Sequence, residues 1–224
     1  MIRFTTEDHR IVTEAVSSAE LGCDGEIVTI VAERSDSYHD VALHYAVLAM
    51  LLVPALGAAL PQALVDRMMA SFLGWNAELT RGALMGILSV ALALAFLLVR
   101  LLLANMPLRM ALTPGTTKTR RVRRRAIQLF KAGTERRTAA RTGVLLYLSL
   151  REHRAEIVAD EAIHGKVAPE MWGEAMADLI AEVKEGRPGS GMAKAVDRIG
   201  QVLNEHFPKT ERDQNELPDR LIEL

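Results

Sequence analysis

Asp36, Asp40, Asp160 and Glu161 are the side chains of this sequence whose type and placement suit chemistry. Asp36 and Asp40 follow a predicted strand over Glu26–Ala32, and parallel α/β sheets place their sites beyond the carboxyl ends of strands. Asp160 follows another predicted strand, an antiparallel one, which directs it toward the other edge of the sheet. Calcium and magnesium are hard cations that take several oxygen ligands, and His39, lying between the first two acids, is not one. Asp36, Asp40 and Asp160 are therefore the candidate metal ligands, for calcium or magnesium, with solvated loop carboxylates as the competing reading. His153 and His164 fall in turns without a sequence partner that would make either a general base. There is no phosphate-cradling glycine loop, zinc spacing or nucleophile elbow. Gly186–Gly191 lacks a preceding strand and a Lys-Ser/Thr ending, so it reads as a linker. No catalytic residue and no organic-cofactor site is assigned.

A second chemistry is written in charge. The formal net charge of -1 hides a strong segregation along the 224 residues. Residues 1–40 carry 3 basic and 9 acidic side chains, residues 107–142 carry 11 and 1, and residues 143–224 carry 10 and 16. The basic block includes Arg120, Arg121, Arg123, Arg124 and Arg125. Basic residues close to an anionic bilayer contribute about 1 kcal/mol each, which makes these five a candidate surface for lipid headgroups. Nucleic acid is excluded as a partner, because the block has neither interleaved aromatics nor a recognised binding motif.

The elements that position these residues are dominated by two uncharged runs. Val41–Val65 and Gly82–Val99 contain no Asp, Glu, Lys or Arg. Each is long enough for a helix crossing a bilayer, which takes about 17–25 apolar residues. Together they read as a two-helix transmembrane hairpin over residues 41–104. Asp66–Leu79, in the turn, is expected to form a short amphipathic helix at the interface, with Met68, Met69, Phe72, Leu73 and Leu79 apolar. Tyr38, Tyr45 and Trp75 are the expected aromatic anchors, and His44 and Arg100 lie at the ends of the spans. Gly82, Ala83, Gly86, Ser89 and Ala93 are small residues that permit close helix approach, within the hairpin or between copies. The basic block after the second span keeps both termini in the cytoplasm. A conduction path is excluded by the scarcity of polar groups in two helices. Residues 1–40 are acidic and lack the basic start and apolar core of a secretory signal. The single cysteine, Cys23, excludes an intramolecular disulfide.

Outside the hairpin the pattern is α/β. Thr5 or Thr6 starts a helix whose apolar face is Ile11, Val12, Ala15, Val16 and Ala19. Glu26–Ala32 and Val144–Leu150 are continuous apolar runs, the mark of strands buried on both faces. Ala155–Ala159 returns as a hairpin. Residues 117–132 form a basic helix, the crossover between the two parallel strands, with the membrane hairpin inserted into that connection. A second short helix is expected over Glu135–Arg141. Helices follow over Pro169–Glu185 and Met192–Phe207, and the tail from residue 209 is polar and loosely ordered. The chain thus divides at residues 1–40, 41–104, 105–208 and 209–224.

Particular stretches of this frame resemble the TPM domain family. They are Gly25-Glu26-Ile27-Val28, the strand Thr142-Gly143-Val144-Leu145-Leu146-Tyr147-Leu148-Ser149-Leu150, and Arg154-Ala155-Glu156-Ile157-Val158-Ala159-Asp160. Trp172 falls in the next helix and Gly191–Phe207 is similar to the family's closing helix. The resemblance covers residues 5–40 and 114–208. It implies a small three-layer α/β domain, here interrupted by the inserted transmembrane hairpin. It also implies roles seen across the family, namely upkeep of membrane complexes, acid phosphatase activity and, in some members, divalent metal. The expectation is a membrane-anchored interaction or assembly module for a membrane-protein complex, or one that self-associates. The alternative is a tethered metal-dependent phosphomonoester hydrolase. The Ala-, Leu- and Arg-rich composition suits a bacterial inner membrane.

Overall fold

The computed structural model of the chain describes residues 4–73, 80–133, 142–210 and 217–224. In chain order the elements are α1 (Thr6–Glu20), β1 (Glu26–Ala32), α2 (His39–Ala59), α3 (Gln62–Leu73), α4 (Arg81–Leu102), α5 (Met106–Leu112) and α6 (Gly115–Gly133). They continue with β2 (Gly143–Ser149), β3 (Arg154–Ala159), α7 (Glu161–His164), α8 (Trp172–Lys184), α9 (Pro188–His206) and β4 (Ile222–Glu223). These elements form two compact units, one running to Ser37 and resuming at Gly115, the other spanning Tyr38–Pro114. The expected helix over Glu135–Arg141, the basic residues Arg136, Arg137 and Arg141, and the turn residues Trp75 and Leu79 lie outside the described residues.

The first unit is built on a four-stranded sheet in the order β3-β2-β1-β4. β1 and β2 pair in parallel along their whole length, from Glu26 opposite Gly143 to Ala32 opposite Ser149. Every residue of both strands is buried, because the sheet is covered on both faces. Alternation divides the two apolar runs between the layers. Ile27, Val31, Val144, Leu146 and Leu148 enter a core with α1, α8 and α9, whereas Val28, Ile30, Ala32, Leu145 and Tyr147 meet Val122, Ala126 and Phe130 of α6. α6 is thus the helix covering one face of the parallel pair. Thr5 settles the start of α1: its hydroxyl accepts from the Asp8 N–H at 3.1 Å and the Asp8 carboxylate accepts from the Thr5 N–H at 2.7 Å.

Two expectations about this unit change. Gly186–Gly191 is not a linker throughout, since α9 already begins at Pro188. Proline is preorganised for a first helical turn, and Gly191 is there for approach. A Cβ on Gly191 would lie 3.0 Å from the Leu179 carbonyl oxygen of α8. Further along α9, a Cβ on Gly200 would lie 2.7 Å from the Cβ of Ala19, so α1 and α9 touch almost backbone to backbone. The tail is the second change. Leu217 and Leu221 are buried, and Ile222 and Glu223 pair in parallel with Ile30 and Val31. The pattern is too short to announce a strand; what orders it is the open edge of β1.

In the second unit, α2 and α4 pack against each other and are long and apolar enough to cross a membrane. At 1.5 Å per residue each spans about 30 Å, the thickness of a bilayer core. The first helix ends at Ala59 rather than Val65 because Leu60 precedes Pro61 and takes an extended conformation. The small-residue stripe faces outward: nothing lies within 4 Å of a Cβ built on Gly82 or Gly86. Close packing inside the hairpin is therefore not what these two glycines serve.

The α1–α9 contact is testable. Gly200→Val overpacks it and lowers stability by about 1–3 kcal/mol, read as a fall in the thermal midpoint of the detergent-solubilised chain. An unchanged midpoint would mean that the two helices have room for a side chain.

Candidate functional site

At the carboxyl ends of β1 and β2 the chain gathers polar side chains inside an otherwise apolar layer. Alternation turns Tyr147 toward α6, where its backbone neighbour across the ladder is Glu156 of β3. Ser149 ends β2, and Glu152 follows in the turn to β3, three residues on. His153 holds a left-handed conformation, φ 49°, which lets this tight turn close.

Glu152 and Ser149 are both buried. One Glu152 oxygen accepts from the Ser35 N–H at 2.8 Å, and the other accepts from the Ser149 hydroxyl. The Ser35 hydroxyl and the Tyr147 phenol share a hydrogen bond of 3.0 Å. Both carboxylate oxygens of Glu152 are thus committed to holding the segment after β1 against the β2–β3 turn. Next to this network Arg121 of α6 donates from Nη1 to the Asp36 carboxylate at 2.6 Å. The pair is partly exposed, Arg121 at 20% and Asp36 at 36% of the side chain, so it forms the solvent-facing rim of the network.

The same burial acts on protonation. It pushes the Tyr147 phenol above its ordinary value of 10.0; the Ser35 hydrogen bond opposes the rise and the Glu152 charge adds to it. Burial likewise raises the Glu156 carboxyl above 4.5, against the pull of the Arg123 guanidinium. Arg123 Nε lies 3.5 Å from a Glu156 oxygen.

Of the acidic residues singled out in the sequence, Asp36 and Asp160 are placed apart. Asp36 is at the carboxyl ends of β1 and β2, paired with Arg121. Asp160 is at their amino ends, where its carboxylate accepts from the Gly143 N–H at 2.9 Å. Seven residues of strand separate those two levels, roughly 20 Å. Asp40 belongs to the helical unit, and Glu161 opens α7. Among the described residues no three His, Cys, Asp or Glu side chains converge to hold a metal ion.

The five arginines of α6 also separate. Val122, Ala126 and Phe130 face the sheet, Arg121 serves Asp36 and Arg123 serves Glu156. Arg120, Arg124 and Arg125 are exposed and make no ion pair among the described residues. The site as a whole is suited to holding an anion at an exposed guanidinium surface, next to a rigid and internally satisfied polar network. Sequence reasoning missed Ser35, Tyr147, Ser149 and Glu152. Ser149 and Glu152, three apart across a turn, were the available signal.

Because the phenol is held protonated, the stability it contributes is full below pH 10 and is lost as pH climbs through the raised folded value. In a chain carrying Tyr38→Phe and Tyr45→Phe, tyrosinate absorbance is expected to appear above the pH of free tyrosine and together with unfolding. Adding Ser35→Ala, which removes an opposing hydrogen bond, moves it higher still. Ionisation at the ordinary pH in the folded chain would contradict a buried Tyr147.

Comparison with known proteins bears on the fold and the family. No curated protein matches the chain. Among solved structures it is similar to the NMR structure of the BA42 protein from the psychrophilic bacterium Bizionia argentinensis, at 15% identity and a TM-score of 0.56. That likeness covers 99% of this chain and 95% of the other, and at such low identity it speaks for the fold alone. The family model described as the TPM domain matches residues 105–202, from the approach to α5 into α9, and so takes in the β2–β3 hairpin that first suggested it. Over that span, the chain is similar to the TPM domain.

Proposed function

We propose that the chain is a membrane-anchored TPM-domain protein that works as an interaction or assembly module for a membrane-protein complex. The observation that carries this reading is the surface of the helical unit. None of the apolar window of α4 is buried, and only 17% of that of α2. Leu51, Leu56, Val90, Leu94, Leu97 and Leu98 are all more than half exposed. Such a band is far beyond the apolar patch that a soluble monomer shows, and its natural solvent is a lipid bilayer. The chain enters and leaves this unit within the β1–β2 connection, which suits a hairpin whose two ends return to one membrane face. The excess of basic residues that follows the second span supports the cytoplasmic face of a bacterial inner membrane.

Binding rather than turnover fits the polar network, because Glu152 is fully engaged by Ser35 and Ser149 and Asp36 by Arg121. The exposed Arg120, Arg124 and Arg125 supply a surface for anionic headgroups.

Three experiments test these statements. Native membranes washed with alkaline carbonate should retain the full chain. Solubilised in mild detergent, it should bring down a defined membrane partner that a version lacking residues 41–104 does not. Absence of a partner from both samples would overturn the module reading. For the arginines, replacing Arg120, Arg124 and Arg125 by glutamine in that shortened version is expected to cost about 3 kcal/mol of binding to anionic vesicles, roughly 100-fold. Replacing Arg121 and Arg123 instead should cost less binding; equal losses would contradict the division of α6.

A further inference from the structure

α5 is inside out for a helix in water. Its seven residues contain one ionisable side chain, Arg109, and that side chain is only 7% exposed. Arg109 Nε donates to the Leu103 carbonyl at 2.8 Å, and Nη1 donates to His39 Nδ1 at 3.3 Å. Thr113, the residue after the helix, is buried as well and gives its hydroxyl to the Arg109 carbonyl at 2.8 Å. Met110 joins Arg109 inside, packed with Tyr38 and Val41. Leu108 and Leu112 point the other way, 41% and 42% exposed, and Pro107 and Ala111 are exposed as well. Positions 108, 111 and 112 share one helix face by the spacing of three and four. The exposed side of α5 is therefore wholly apolar, and the cation that would ordinarily sit there is turned inward.

This face does not stand alone. Leu101 and Leu102, at the end of α4, are 73% and 52% exposed, and Arg109 ties α5 to the carbonyl of the next residue, Leu103. The apolar surface of the membrane-spanning helix thus continues, within the same unit, onto a short helix that follows it. We infer that α5 is a lipid-seated foot. Its Leu108, Ala111 and Leu112 face enters the boundary between headgroups and acyl chains, and Arg109 clamps it to the base of the hairpin. The occupant of this face is lipid rather than protein, because the face prolongs a surface whose solvent is lipid. An apolar helix face with its polar side satisfied lies in the interface plane and fixes the depth at which the hairpin sits. The inference rests on the membrane-anchored reading above, and its test separates the two.

Single cysteines at positions 94, 108, 112 and 128 of the full chain, in a Cys23→Ser background, are spin-labelled in nanodiscs of phosphatidylethanolamine and phosphatidylglycerol. Collision with oxygen reports acyl chains, and collision with a nickel chelate reports water. The expected result is oxygen contact severalfold above nickel contact at 94, 108 and 112, and the reverse at 128, an exposed position on α6. If 94 reads lipid while 108 and 112 read water, the foot is wrong and the anchor stands. If 94 itself reads water, the anchor is wrong and the foot falls with it. A parallel set retaining the buried Cys23 gives the same readout should Cys23→Ser disturb folding.

Discussion

Everything in the first unit depends on one long-range pairing, the parallel ladder between β1 and β2. Its two strands are separated by more than a hundred residues, and within that connection lies an entire second unit. Parallel strands always require a crossover, but closing a loop of this length costs conformational entropy that only a strong interface offsets. The interface here is strong because both strands are buried on both faces. Two sets of alternate side chains are removed from water at once, one under α1, α8 and α9 and the other under α6. The helical unit is itself compact, which shortens the effective loop that the sheet has to close.

The polar network at the carboxyl ends of β1 and β2 is a consequence of that ladder. Where the strands end, backbone groups lose their ladder partners, and Glu152 meets the Ser35 N–H with a carboxylate that is buried for that purpose. A carboxylate surrounded by donors is well held but chemically occupied, which is why the network reads as scaffold and its rim, Asp36 with Arg121, as the part that meets solvent. The remaining arginines of α6 are then set apart by subtraction. A helix covering a sheet has two flanks and an outer face; Arg121 and Arg123 lie on the flanks, within reach of Asp36 and Glu156, and Arg120, Arg124 and Arg125 make no ion pair among the described residues.

In the helical unit the same logic runs in reverse. α2 and α4 show large apolar side chains on their outside, and α5 follows them by turning its arginine inward and its leucines outward. A buried guanidinium is tolerable only with acceptors around it, and the carbonyl of Leu103 and the ring of His39 are such acceptors.

Much of this was legible from the sequence alone. Uncharged runs, continuous apolar strands and a Thr-Glu-Asp helix start are local signals, and local signals report where elements begin and which sides of them are apolar. β1 was delimited to the residue, and the TPM-like hairpin nearly so, because burial on both faces keeps charged residues out of the interiors of β1 and β2. What only the tertiary structure decided are matters of partner and distance. It set Asp36 and Asp160 at opposite ends of the strands, made helix contacts of glycines that read as a linker, and ordered the C-terminal residues on the open edge of β1. It also chose which arginines are engaged and which way α5 faces. None of these is a property of a stretch of chain: a side chain's type states what it is able to bond, and only the packing of distant elements determines what lies within bonding distance.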